Sequence, residues 1–156
     1  MKQWLIHLIF FSMKRLPVLE IITSLLILLF AYTAISKLLG YRSFTRTLTE
    51  SPLIHNGAGT IGWLLPATEL IVVLLLFFER TRKAGLYASL FLLLLFTLYL
   101  LYMVLFVADL PCSCGGVFNK MSWQQHIFFN LFFILLNVLG LFVLRKQQQV
   151  PNDIQY

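Results

Sequence analysis

Long apolar runs alternate along this chain with short charged or polar connections, and four of the runs are long enough to cross a bilayer. At about 1.5 Å of rise per residue, roughly 20 helical residues cover a hydrocarbon core about 30 Å thick. The pattern predicts such helices over 17–39, 61–78, 84–108 and 123–144. Pro17 suits the first turn of the first span, and Ser122 suits the N-cap of the fourth. Glu79-Arg80-Thr81-Arg82-Lys83 forms a tight polar loop between the second and third spans, and Asp109 with Pro111 ends the third. In the first loop, 40–60, Phe44, Leu48 and Ser51 to Ile54 are expected to lie along the interface as a short helix and turn. The expected fold is all-α, a polytopic four-helix membrane bundle over 17–146.

The ends read differently. Residues 1–16 carry a shorter apolar run, Trp4 to Phe11, which is too brief to span. No small-x-small cleavage site separates it from Lys14 and Arg15, so an interfacial segment is expected, with Trp4 and His7 near the headgroups. Met13 is an alternative start, since MKRLPVLE introduces the first span equally well. The polar tail, 147–156, is expected to lack fixed structure.

Composition strengthens the membrane reading. The chain is 60% hydrophobic and 12% charged, with fifteen Phe among its 156 residues. A soluble domain carries about half apolar and a quarter charged residues, and its core could not hide this excess. The net charge of +6 sits in short clusters between apolar runs, which marks topology and excludes a nucleic-acid footprint. No Walker loop, dinucleotide fingerprint, His-Glu-x-x-His or paired Cys-x-x-Cys pattern occurs.

Four spans place both termini on one side. The termini and the second loop carry eight basic residues: Lys2, Lys14, Arg15, Arg80, Arg82, Lys83, Arg145 and Lys146. The other side has Arg42, Arg46 and Lys120, with Lys37 at the end of a span. The positive-inside rule makes the termini cytoplasmic. Asp109, His55 and the connection before the fourth helix then face outward, where disulfides persist.

Several polar groups lie where lipid gives them no partner. Glu69 lies about 12 Å into the second span, below Pro66, and Lys37 enters the same half of the membrane as its natural partner. A packing ion pair and a proton-handling group are both open readings of Glu69. Glu20 is expected to snorkel toward Lys14, Arg15 or Arg80. His126, Asn130 and Asn137 are four and then seven residues apart, on one face of the fourth helix with Trp123 at its head. That face belongs inside the bundle. Tyr99 and Tyr102 fit either an aromatic belt or interior hydrogen bonds.

The reactive side chains concentrate in Pro111-Cys112-Ser113-Cys114-Gly115-Gly116, which holds both cysteines of the protein. A disulfide between residues two apart closes a small strained ring, a poor staple and a good exchange partner. The dipole of the following helix and Lys120 favour a thiolate there, and Asp109 opposes it. His126, one turn into that helix, is the best candidate for moving the proton. Cys112 and Cys114 with His126 or His55 would also suit a soft metal such as Cu(I), but the second Cys-x-Cys or Met-rich tract of a metal relay is missing. Simple packing at a helix end is the remaining reading.

FAYTAISKLLG, GWLLPATELIVVLLL and DLPCSCGGVFNKMSWQQHIFFN resemble the MauE branch of the DoxX-like membrane proteins over about 17–145. Cys-Ser-Cys-Gly-Gly followed by Trp123, His126 and Asn130 is the specific part. The resemblance implies a redox-associated protein of a bacterial cytoplasmic (inner) membrane, with Cys112 and Cys114 as the redox pair on the periplasmic side. It also implies a role like MauE in maturing disulfide-rich methylamine dehydrogenase beside a thioredoxin-like partner, although this chain identifies no client. The leading expectation is a thiol–disulfide protein exchanging electrons with such a partner or client. It requires no cofactor, with a quinone near His126, Asn130, Lys37 and Glu69 as a conditional extension. The alternatives are a noncatalytic membrane scaffold, with Trp123 and the Gly-Gly turn as docking surface, and a soft-metal carrier.

Overall fold

The computed structural model describes residues 2–51, 54–106 and 123–149, with side chains from Val18 onward except at His55, Trp123 and Gln148. Five α-helices follow in order: α1 (Lys2–Leu39), α2 (Tyr41–Glu50), α3 (Ala58–Phe77), α4 (Arg82–Phe106) and α5 (Trp123–Gln149). A single 3-10 turn, His55–Gly57, precedes α3. There are no strands among the described residues.

Four stretches have the length and hydropathy of membrane spans: Val18–Leu39, Ala58–Phe77, Arg82–Phe106 and Gln124–Gln147, with mean hydropathies of 2.3, 2.1, 2.5 and 2.6. They fall on the four apolar runs and confirm the all-α, four-span architecture. The boundaries differ most at the two ends, where α5 runs on to Gln149, into the stretch expected to be an unstructured tail. The helix entering the first span begins at Lys2, so Pro17 lies inside a continuous helix instead of opening one. Proline removes one backbone donor, a modest loss near a membrane boundary, where water can satisfy the freed carbonyl.

The helices close into a ring in which α1 packs on α3, α3 on α4, α4 on α5, and α5 back on α1. Each span therefore touches its sequence neighbours, the arrangement of an up-and-down bundle. Leu19, Ile22, Leu26 and Phe30 on α1 meet Val72 and Leu76 on α3, Leu86 and Leu93 on α4, and Phe133 and Leu141 on α5. Their three- and four-residue spacings put them on single faces. The opposite faces expose equally apolar residues, including Leu28 at 67%, Leu98 at 66% and Phe128 at 73%. Lipid can cover these faces and water cannot.

Close backbone approach replaces side-chain bulk at Gly85. A Cβ there would lie 2.8 Å from the Leu76 nitrogen and 2.9 Å from the Leu75 carbonyl carbon, so only glycine allows α4 this near α3. Deeper in the core, Asn137 on α5 meets Ser89 on α4 at 2.6 Å. With its amide oriented to satisfy both ends, Asn137 accepts from the Ser89 hydroxyl and donates to the Leu86 carbonyl at 3.1 Å.

Candidate functional site

The polar end of the bundle is built by the C-terminal halves of α1 and α4 and the N-terminal halves of α3 and α5. Across it lies α2, whose Phe44 and Leu48 are buried on the same side, as positions i and i+4 of an amphipathic helix. They pack with Ala58 against half-buried Ile54, Ile61 and Leu65. Gly62 lets α2 settle close, since a Cβ there would come within 2.7 Å of Thr45 Cγ2. The short helix expected in the first loop is thus present, and it covers the bundle end. Tyr41 and Trp63 pair beside it with ring centroids 5.2 Å apart, an aromatic contact suited to the membrane boundary.

Beneath α2 the five helices enclose a cavity of about 310 Å³. Most of its wall is aliphatic or aromatic, including Phe30, Phe44, Phe96 and Phe129. Its polar lining comes from Thr33 and Lys37 on α1, Thr47 on α2, Glu69 on α3, Tyr99 on α4, and His126 and Asn130 on α5. Helical spacing explains the convergence: Thr33 and Lys37 are one turn apart, as are His126 and Asn130, so each pair faces inward together.

Lys37 donates to Glu69 Oε1 at 2.5 Å, with the two side chains 12% and 1% exposed. The Lys37 ammonium also stands 5.2 Å from the centre of the Phe96 ring and 5.9 Å from that of Phe44. Ring faces at these distances stabilise a desolvated cation. The other carboxylate oxygen, Glu69 Oε2, is buried and has no hydrogen-bond partner among the described residues. Nearby, the Thr33 hydroxyl donates to the Phe30 carbonyl at 3.0 Å. Half-buried His126 lines the same cavity as Lys37, and Asn130 is buried one turn further along α5. Tyr99 donates to Ser51 Oγ at 3.0 Å, tying α4 to the end of α2.

Of the residues singled out from the sequence, the structure brings Lys37, Glu69, His126 and Asn130 together around one cavity. Asn137 shares their helix but serves the core through Ser89. Glu20 is exposed, and the side chains of Lys14 and Arg15 lie outside the described residues. Cys112, Cys114 and Asp109 also lie outside them, as do the side chains of Trp123 and His55. The end of α4 and the start of α5, between which the cysteines fall in the sequence, belong to the half of the bundle that holds the cavity. Sequence reasoning missed Phe96 and the role of Ser51 as the partner of Tyr99. Nothing in the local pattern separates Phe96 from its lipid-facing neighbours, and Ser51 is 48 residues from Tyr99.

The arrangement offers a buried ammonium, a carboxylate with one unengaged oxygen, an imidazole and an amide in an apolar chamber. It can hold a small amphiphile by its polar edge and exchange protons with it. Among the described residues no three His, Cys, Asp or Glu side chains gather as a metal site would require.

No curated protein and no solved structure matches the sequence. The model of the family described as methylamine utilisation protein MauE matches residues 15–143, a range that takes in the first three spans, the fourth as far as residue 143, the cavity residues and both cysteines. On that coverage, the chain belongs to the MauE family.

Proposed function

We propose that this protein is a membrane thiol–disulfide redox protein that serves methylamine utilisation by exchanging electrons through Cys112 and Cys114 with an extracytoplasmic thioredoxin-like or client protein. The observation that carries the reading is the placement of the only two cysteines, one residue apart on the α4–α5 connection and inside the family-matched range. Two thiols at that spacing form a strained, exchangeable bridge. The charge asymmetry of the loops supports cytoplasmic termini in a bacterial inner membrane, with the cysteines on the periplasmic face. His126, three residues after Trp123, stands at the helix end nearest this turn and is the proton carrier in this reading.

Exchange conserves thiols at each step. A thiolate of the reduced partner attacks the Cys112–Cys114 disulfide, forming one mixed S–S bond and releasing the other cysteine as thiolate. The partner's second thiolate then breaks the mixed bond, leaving the partner oxidised and Cys112 and Cys114 as a dithiol. The reverse sequence reduces the partner.

Trapping tests the proposal. Cys114→Ser removes one half of the pair and should accumulate a mixed disulfide, seen as a reducible higher band with the partner attached. A membrane-impermeant thiol reagent applied to intact cells should label the reduced pair. A pair that stays reduced, unlabelled and untrappable sinks the reading, and full function in the Cys112→Ser/Cys114→Ser variant would favour a scaffold instead.

A further inference from the structure

A dithiol made by oxidising a partner must pass two electrons onward before it can act again. The chamber beneath α2 has the chemistry of a site for their acceptor. Its volume of about 310 Å³ falls at the small end of ligand sites, which run from about 300 to 1,000 Å³. It lies among the membrane spans, and its lining is mostly apolar, which suits a lipid-soluble molecule better than a charged metabolite. The rings of Phe30, Phe44, Phe96 and Phe129 form its aromatic wall.

The polar groups narrow the occupant further. Lys37 and Asn130 are donors in every state, and His126 donates from one ring nitrogen at least, so a carbonyl oxygen finds partners. Glu69 is 1% exposed and its Oε2 has no hydrogen-bond partner among the described residues, so a hydroxyl group finds an acceptor. A molecule that alternates between carbonyl and hydroxyl at the same atoms satisfies this mixed lining in both forms. An acyl chain satisfies none of these groups, and a lipid phosphate would set a second negative charge beside Glu69.

We propose that the cavity bounded by Lys37, Glu69, His126 and Asn130 binds the ring of a membrane-soluble quinone, which accepts the electrons of the Cys112–Cys114 dithiol. This rests on the thiol–disulfide reading above. The two thiols lose two protons and two electrons and form one S–S bond. Both electrons and both protons go to the two quinone oxygens, giving the hydroquinone. Glu69 and His126 are the groups placed to carry those protons.

The test uses the full chain in lipid nanodiscs and ubiquinone with a single isoprene unit as the probe. Wild type should bind it saturably at one per chain. Leu65→Trp, which fills the chamber without altering its charges, should weaken binding at least tenfold. Lys37→Met/Glu69→Met, which removes the pair without stranding either charge, should do the same. Retained helical circular dichroism and a monodisperse elution profile establish that these variants are folded. Cys112→Ser/Cys114→Ser should bind as wild type does but, unlike the wild-type dithiol, should form no hydroquinone, read by ultraviolet absorbance. Absence of saturable binding by wild type overturns the site, as does undiminished binding by the folded cavity variants. Binding without cysteine-dependent hydroquinone overturns the acceptor role. Mixed-disulfide trapping is scored on the same wild-type and single-cysteine preparations, so a negative quinone result alone leaves the thiol–disulfide reading standing.

Discussion

Glu69 on α3 receives the Lys37 ammonium of α1 at 2.5 Å through one oxygen, while its other oxygen is buried without a hydrogen-bond partner among the described residues. Each charge is tolerable at this depth because the other is there. Lys37→Met strands the carboxylate and should cost about 3–5 kcal/mol of stability, the usual penalty for removing one partner of a buried pair. Lys37→Met/Glu69→Met should recover most of that loss. Thermal unfolding midpoints of the two variants in one detergent make the comparison, and equal instability would show that the pair is not the source.

Gly85 and Gly59 form a matched contrast. A methyl group at Gly85 runs into the backbone of Leu75 and Leu76, which cannot rotate aside, whereas one at Gly59 meets nothing within 4 Å. Gly85→Ala should destabilise the bundle by about 1–3 kcal/mol through overpacking. Gly59→Ala should stay within about 0.5 kcal/mol of wild type, as exposed substitutions usually do. The same unfolding assay reads both.

Asn137 is fully buried and satisfied by Ser89 and the Leu86 carbonyl. Interhelical polar contacts in membranes contribute about 0.6–2 kcal/mol. Asn137→Leu should lower stability by an amount in that range, and adding Ser89→Ala should lower it by less than the sum of the single effects, because both mutations remove the same contact. A double-mutant cycle measures this coupling directly.

Tyr99 and Ser51 link a membrane span to the loop region after α2. Tyr99→Phe keeps the ring and loses this donor, at a cost of about 1 kcal/mol. The loss should appear locally, as faster amide exchange in Tyr41–Glu50, while the core of α1 keeps its protection. Unchanged exchange in α2 would mean that Phe44 and Leu48 alone hold that helix in place.

The four spans were legible because unbroken apolar runs of about 20 residues have few other solutions. The partnership of Lys37 with Glu69 was legible for a related reason: few other charges enter that half of the membrane. Phe44 and Leu48 announced α2 by their spacing. The chamber was not legible, because a void is a property of five helices and their register, and no single segment encodes it. Ser89 was hidden for similar reasons. Its residue type is common in membrane helices, and only the packed bundle shows that it faces Asn137 across 48 residues of sequence. The continuation of α1 through Pro17 contradicts a local rule that works better for exposed helices in water. Cys112 and Cys114 announced their chemistry by identity and spacing alone.

The Lys37–Glu69 pair also bears on how the chain enters the membrane. Its two members sit on consecutive spans, and those spans form the most extensive helix pair among the described residues. A lone charge near mid-helix costs roughly 2.5–3.5 kcal/mol to insert. Inserted alone, the α3 span would carry that penalty through Glu69, and the α1 span a smaller one through Lys37 near its end. Inserted together as a hairpin, they shield one another's charge from lipid, and α4 and α5 then meet a half-bundle that is already neutralised.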